Sequence, residues 1–336
     1  MFAKIKPFLI DHLLKSKECW RNNGRVKIMI ATNAFFTTAS WQKKLTKFSS
    51  IGGDKWDIVF CENRSKIYGH FESADICFLF GLGKYLESKR PENKFIYFPV
   101  MGTEFLDDTK LDESVKIEKP SVVSPPAIAE YCYAMAIMLI RNFHQAILSQ
   151  ASRKWTQKNL LEHFKPLTAH KIGIMGLGNV GIELARYFNG HGCVVCGFSD
   201  VKPSDVHELT KWYGPEELEP FLNEADLLIN ALPLTETTRD LIRLKEIELL
   251  GPSKFIISIS RGGIINEKDL LFALKNRIIR GAALDVFGNE PLPARSPFYS
   301  LDNVIITPHI AGNINLFVEE IQQDFIEKAM KYIEDV

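Results

Sequence analysis

Cysteine is scarce in this chain: six residues (Cys19, Cys61, Cys77, Cys132, Cys193 and Cys196) among 336. Most stand inside apolar runs such as Asp75-Ile-Cys-Phe-Leu-Phe80, so they read as reduced core side chains and not as a disulfide framework. Cys193-Val-Val-Cys196 has redox or zinc spacing, but it falls in a predicted strand, where residues three apart point to opposite faces. With no second such pair to complete four ligands, no metal site is expected. Surplus charge is also missing, since 41 Lys plus Arg balance 41 Asp plus Glu. Phosphate-held nucleic-acid binding and polybasic membrane binding both depend on a positive excess, so neither is expected. No apolar run approaches the ~20 residues of a membrane span. The first residues, Met1-Phe-Ala-Lys-Ile-Lys-Pro7, lead into a charged segment without an apolar core and cleavage site, so no secretory signal is expected and the cytoplasm is the expected compartment. Internal repeats and low-complexity segments are lacking too.

What is present is an ordinary globular composition, 46% hydrophobic and 24% charged. At roughly 150 residues per domain the length suggests about two domains. Residues 1 to about 24 have near-helical spacing of Phe8, Leu9, His12, Leu13 and Cys19 or Trp20, with Gly24 as punctuation. Short apolar runs follow at Val26–Ala31, Trp56–Cys61, Ala74–Phe80 and Lys94–Val100, separated by helix-length polar segments, which suggests βαβ units and a buried parallel sheet. A polar stretch, 107–120, breaks the pattern, and Ser124-Pro-Pro126 signals a helix start. The helix expected over about 127–143 is apolar almost all round (Ile128, Ala129, Tyr131, Ala134, Met135, Ile137, Met138, Leu139), so it must be buried, as an interdomain or subunit contact would do. Six further strand-like runs follow: Ile172–Met175, Cys193–Phe198, Ala225–Asn230, Phe255–Ile259, Gly281–Asp285 and Val304–Thr307. They predict a doubly wound α/β domain. A final helix over about 315–334 is expected to return to the first domain.

The most specific motif is Lys171-Ile-Gly-Ile-Met-Gly176-Leu-Gly178-Asn-Val-Gly181. A lone GxGxxG is weak, but this one follows an apolar strand, opens an amphipathic helix and precedes another strand at βαβ distance. Gly176 suits the tight turn, Gly178 the approach of a pyrophosphate, and Gly181 close packing of helix on strand, while the helix N-terminus offers N–H donors to phosphates. A Gly-rich turn in a ligand-free α/β protein is the alternative. Asp200 lies 19 residues past Gly181, near the ~20-residue offset of the acid that binds the adenosine ribose. A carboxylate there accepts from a ribose diol and repels a 2′-phosphate, which favours NAD(H) over NADP(H). Ser199 in the recognition position, with Asp200 turned elsewhere near Lys202, stays open.

Downstream come Ala231-Leu-Pro-Leu-Thr-Glu-Thr-Thr238, Ser258-Ile-Ser-Arg261-Gly-Gly-Ile-Ile-Asn-Glu267, Ala283-Leu-Asp285-Val-Phe-Gly-Asn-Glu290-Pro-Leu and Ile306-Thr-Pro-His309-Ile-Ala-Gly312. Arg261, Asp285 and His309 each fall at or just past the C-terminal end of a predicted strand, with Glu290 on the loop after Asp285. That edge is where open α/β sheets bind ligands. These segments, in this order, resemble the D-isomer-specific 2-hydroxyacid dehydrogenase family. The resemblance is dense from about Ala129 to Gly312 and faint over residues 1–100. The run Glu290-Pro-Leu-Pro-Ala-Arg-Ser-Pro297 looks nearest the glyoxylate/hydroxypyruvate reductase-like branch.

The resemblance implies two flavodoxin/Rossmann-like doubly wound parallel-sheet domains, an NAD(P)-binding domain (122–312) inserted into a substrate domain (1–121, completed by 313–336), with the cleft between them. It implies hydride transfer between a nicotinamide and a small 2-oxo or D-2-hydroxy acid. His309 would be the proton donor, Glu290 on its other ring nitrogen would favour the charged ring, and Arg261 would grip the substrate carboxylate with its fork. Cofactor contacts are implied at Gly176, Gly178, Asn179, Val180, Gly181, Ser199, Asp200, Leu232, Pro233, Thr238, Ser260, Arg261, Asp285, His309 and Gly312. Backbone N–H groups at Met101 and Gly102 would bind the substrate carboxylate, with Gly81-Leu-Gly83 as a second candidate wall. Thr103-Glu104 departs from the Gly-x-Asp of many relatives, and Ser258 stands where many carry Asn or Asp. Relatives are typically homodimers. A redox-sensing, corepressor-type protein on the same fold is the second reading, distinguished by tight NADH binding without turnover. Formate oxidation is disfavoured, because it passes no proton through a Glu290-backed histidine.

Overall fold

The computed structural model describes residues 26–33, 36–46, 56–80, 94–99, 114–120, 125–161, 165–204, 207–312 and 317–335. The N-terminal helix expected over 1–24, the Gly81-Leu-Gly83 wall, and Met101, Gly102, Thr103 and Glu104 lie outside them. The chain divides into two compact units, residues 1–123 with 314–336, and residues 124–313.

In the first unit β1 (Val26–Ala31), β2 (Trp56–Cys61), β3 (Ile76–Phe78), β4 (Phe95–Tyr97) and β5 (Lys116–Glu118) form a parallel sheet in the order β2-β1-β3-β4-β5. The order reverses direction at β1, the flavodoxin-like doubly wound arrangement. Strand β5 corrects the expectation that 107–120 merely breaks the pattern: Lys-Ile-Glu pairs in parallel with β4. It is three residues long and half-buried at the sheet edge, so it carries no apolar run. Two short helices, α1 (Thr38–Thr46) and α2 (Arg64–Phe71), connect the first three strands.

The second unit opens with α3 (Pro125–Ile140), and a turn at Asn142, whose φ of 53° is left-handed, separates it from α4 (Phe143–Ala151) and α5 (Gln157–Leu161). The single helix expected over 127–143 therefore ends at Ile140. Its face of Ala129, Cys132, Met135, Ala136, Leu139 and Ile140 is buried within its own unit, against α6 (Asn179–Gly190) and the sheet. The apolar surface that stays exposed belongs instead to the segment after it: Phe143, Ile147, Leu148, Trp155 and Leu161.

Seven parallel strands, β6 (Lys171–Met175), β7 (Val194–Phe198), β8 (Lys211–Tyr213), β9 (Leu227–Asn230), β10 (Phe255–Ser258), β11 (Gly281–Leu284) and β12 (Val304–Ile306), lie in the order β12-β11-β10-β9-β6-β7-β8. Sequence reading gave six. Strand β8, Lys-Trp-Tyr, is again a three-residue edge strand with no apolar run. Reversal of strand order between β6 and β9 creates the crevice at which doubly wound sheets bind ligands. Helices α7 (Leu218–Glu224), α8 (Leu244–Leu250) and α9 (Glu267–Lys275) complete this unit. The last helix, α10 (Val318–Asp335), buries Ile321, Phe325, Ile326, Ala329 and Met330 against the five-stranded sheet of the first unit.

Candidate active site

All of the site residues described below lie in the second unit. At the end of β6 the backbone of Gly176 adopts φ +93°, and an added Cβ would fall 2.8 Å from the Ala231 backbone. Gly181 sits so close beneath it that its Cβ would come 1.8 Å from the Gly176 carbonyl oxygen. Gly178, by contrast, faces open space, which leaves room beside the turn. As N-cap of α6 it supplies no side-chain hydrogen bond, so the amides of the first turn keep their partial positive charge for a ligand. Exposed Asn179 and half-buried Val180 flank that turn.

Ser199, next after β7, is buried; its hydroxyl donates to Val201 O (2.7 Å) and accepts from Trp212 Nε1 (3.1 Å). Asp200 is exposed beside it. After β9, buried Leu232 donates its N–H to Asn230 Oδ1, and Thr238 ties its own turn through Pro233 O and Thr235 N–H. Asn230 Nδ2 reaches Ser258 Oγ at 3.2 Å, so Ser258 has a buried partner across adjacent strands. Ser260 Oγ is buried without a hydrogen-bond partner. An orphaned hydroxyl, an uncapped helix N-terminus and a glycine open to space together fit a bound dinucleotide. Gly312 is exposed at the far end of the site segment.

Strands β10, β11 and β12 are neighbours in parallel register, so Arg261, Asp285 and His309 leave the same sheet edge. A Cβ on Gly262 would fall 2.0 Å from the Phe287 carbonyl carbon, which brings the Arg261 loop against the loop carrying Glu290. Arg261 Nη1 donates to Ser260 O at 2.6 Å. Glu290 is held twice: Oε1 accepts the Phe287 N–H at 2.9 Å, and Oε2 lies 2.7 Å from His309 Nδ1. A carboxylate only accepts, so Nδ1 carries the proton and Nε2 is the nitrogen turned to other partners. His309 itself has φ +54°, a conformation that costs a non-glycine residue of order 1 kcal/mol or more and persists where its surroundings enforce it.

Asp285 is 1% exposed and its carboxylate collects three donors: Thr307 Oγ1–H (2.6 Å) and Ile310 N–H (2.9 Å) on Oδ1, and Ala311 N–H (2.9 Å) on Oδ2. Within the described residues this carboxylate is a clamp on the turn around His309. Two further residues escaped sequence reasoning. Glu267, at the start of α9, accepts the Gly288 N–H and braces the Glu290 loop; Asn230 bridges β9 and β10. For Asn230 the signal was a lone polar residue closing an apolar strand; Glu267 had none, because its partner lies 21 residues away.

The five cysteines among the described residues, Cys61, Cys77, Cys132, Cys193 and Cys196, are all buried. Cys193 and Cys196 are buried and form no disulfide, and desolvation raises both thiols, that of Cys196 to about 12. Among the described residues no cluster of His, Cys, Asp or Glu could hold a metal ion, and no helix is long and apolar enough to cross a membrane.

The model of the D-isomer specific 2-hydroxyacid dehydrogenase NAD-binding domain matches residues 133–311, more than half of the chain. The chain belongs to this family. It is 33% identical over 205 residues to glyoxylate/hydroxypyruvate reductase A of Photorhabdus laumondii, covering 61% of this chain and 63% of that protein. It is 34% identical over 192 residues to the glyoxylate reductase of Pyrococcus furiosus, covering 55% and 56%. The matches thus span less than two thirds of these relatives' length. The fold superposes on a D-isomer specific 2-hydroxyacid dehydrogenase family protein from Aeromonas salmonicida with a TM-score of 0.78 at 24% identity, over 93% of this chain and 96% of that one.

Proposed function

We propose that the protein moves a hydride between NAD(H) and a small 2-oxo or D-2-hydroxy acid, glyoxylate or hydroxypyruvate, in the cytoplasm. The carrying observation is the 2.7 Å contact between His309 Nδ1 and Glu290 Oε2, on the sheet edge shared by Arg261 and the Gly176–Gly181 turn. The nicotinamide, when bound, supplies the hydride. Reduction builds negative charge on the carbonyl oxygen, and His309 delivers a proton to it from Nε2. Glu290, anchored by the Phe287 N–H, fixes the tautomer and offsets the charge of the protonated ring. Arg261 grips the substrate carboxylate in a bidentate pair. Met101 and Gly102 are assigned to the remaining carboxylate contacts on motif order alone, with the first unit as substrate domain and the second as cofactor domain.

Asp200 is proposed as the ribose acceptor. Its exposure, beside a Ser199 whose hydroxyl is already engaged, supports this choice and with it NAD(H) over NADP(H). A homodimer is proposed as well, supported by the exposed Phe143, Ile147, Leu148, Trp155 and Leu161, of which Trp155 is 91% exposed. Trp155→Glu should shift the sedimentation coefficient toward that of a monomer.

The test is a screen of NADH and NADPH oxidation against glyoxylate, hydroxypyruvate, pyruvate and bulkier 2-oxo acids. Turnover should be fastest with NADH and one of the first two, and Asp200→Ala should cut the preference for NADH by about 10-fold. His309→Gln should lower kcat by about 10²- to 10⁴-fold at saturating cofactor. A rate within a few-fold of the parent would remove His309 from the acid role, and tight NADH binding without any turnover would favour the redox-sensing reading.

A further inference from the structure

A chain of hydrogen bonds through half-buried Tyr131 and Thr307 and buried Asp285 runs from helix α3 to the backbone of His309. As a carboxylate, Asp285 only accepts, so the Thr307 hydroxyl donates to its Oδ1. The 2.6 Å contact between Tyr131 Oη and Thr307 Oγ1 must then have the phenol as donor. Burial raises the Tyr131 phenol above its ordinary range, which keeps it protonated for this task. At the other end, Asp285 spends its carboxylate on the amides of Ile310 and Ala311 and its own carbonyl on the His309 N–H at 2.9 Å. Every link therefore converges on the turn that holds His309 at positive φ.

We propose that Thr307 and Tyr131 are positioning residues for His309, acting through Asp285 to hold the 307–311 turn in the conformation that places the imidazole on Glu290. The proposal rests on His309 being the proton donor. Tyr131 ties the turn to helix α3, whose other face is buried in the core, so the acid is referenced to the domain core and not to its own loop alone. Directional hydrogen bonds that share one carboxylate specify geometry closely, and a displacement of about 1 Å at a reacting group costs on the order of 10²-fold in rate.

Thr307→Val keeps the shape while removing both the donor to Asp285 and the acceptor for Tyr131. It should lower kcat about 10- to 100-fold with the KM for NADH within about 2-fold of the parent. Amide exchange at His309, Ile310 and Ala311 should accelerate about 10-fold or more, while Leu184 to Phe188 in α6 stay protected. Tyr131→Phe, which removes one link, should cost about 3- to 10-fold in kcat, and Thr307→Ser, which restores the hydroxyl, should return to within about 3-fold. Unchanged exchange at 309–311 in Thr307→Val, protection lost evenly across the second unit, or a Thr307→Ser variant no better than Thr307→Val would each overturn the proposal. A parent protein inert toward every 2-oxo acid would instead sink the functional reading, and the exchange measurement would still decide whether Thr307 and Tyr131 hold the turn.

Discussion

One face of the five-stranded sheet is packed with aromatic rings, whereas on the face of the seven-stranded sheet that carries α3 and α6 the side chains over β6 and β9 are small and aliphatic, and the rings of Tyr133, Tyr187 and Phe188 group on the helices themselves. In the first unit Phe325 on α10 meets Phe78, Tyr97 and Trp41 with centroids 5.3, 5.4 and 5.6 Å away, each near edge-to-face. In the second unit Ala129, Ala136, Leu139, Leu184 and Ala185 from the two helices close over Ile172, Ile174 and Ile229 of the sheet. The difference follows from what each surface must allow. Helix α6 has to come within backbone contact of the β6 turn, which excludes bulk there; α10 re-enters from the far end of the chain and needs wide rings to fill the space over short strands.

The sharpest way to break the comparison is to empty the aromatic side. Phe325 is 2% exposed, and Phe325→Ala should cost about 3–5 kcal/mol, the range for a buried aromatic cut to a methyl group. Amide exchange should show protection lost in β1, β3 and β4 with β6 and α6 unaffected; equal loss in both units would mean that the two cores are not separate. The converse change is Gly181→Ala, which places a Cβ where the Gly176 carbonyl stands. Overpacking of this kind costs about 1–3 kcal/mol. NADH affinity, read by fluorescence titration, should fall by about 10-fold or more as the turn is forced away from α6, while the aromatic unit keeps its stability. An alanine that bound NADH as the parent does would remove the close approach as the reason for the small-residue packing.

The same contrast explains what was legible. A motif is readable when one local geometry demands one residue type, as Gly176 and Gly181 do, or when a functional group follows a strand end, as Arg261 and His309 do. The inner parallel strands were readable because they are buried on both faces and so carry unbroken apolar runs. Strands β5 and β8 were missed because an edge strand of three residues needs no such run, and the break after α3 was missed because a single Asn142, though a residue type that tolerates the left-handed turn, is a weak signal inside an apolar helical run. The supports of the site were unreadable for another reason. Asp285 with Thr307, Tyr131 with Thr307 and Glu267 with Gly288 are pairs 22, 176 and 21 residues apart, joined only once the sheet aligns its strand ends.

A smaller effect sharpens the comparison along the pH axis. Burial lowers the pKa of both His144 and His170 below the ordinary 6.5, and both belong to the second unit. His144 lies 3.3 Å from Met138 O through Nδ1, the contact of a neutral ring donating to a carbonyl, and His170 Nε2 is buried without a partner. In the unfolded chain these rings take up a proton at about 6.5, whereas the folded unit resists it until lower pH. The unfolded state therefore binds more protons below that value, so the contribution of the two rings is fully present above about pH 6.5 and is lost as pH falls through their folded-state pKa values. Denaturant unfolding followed by exchange should show the second unit weakening as pH falls below about 6.5, with the slope reduced in His144→Gln. An unchanged slope in that variant would assign the acid sensitivity to other groups, and a first unit that weakened equally would show that ring burial in the aliphatic unit is not its source.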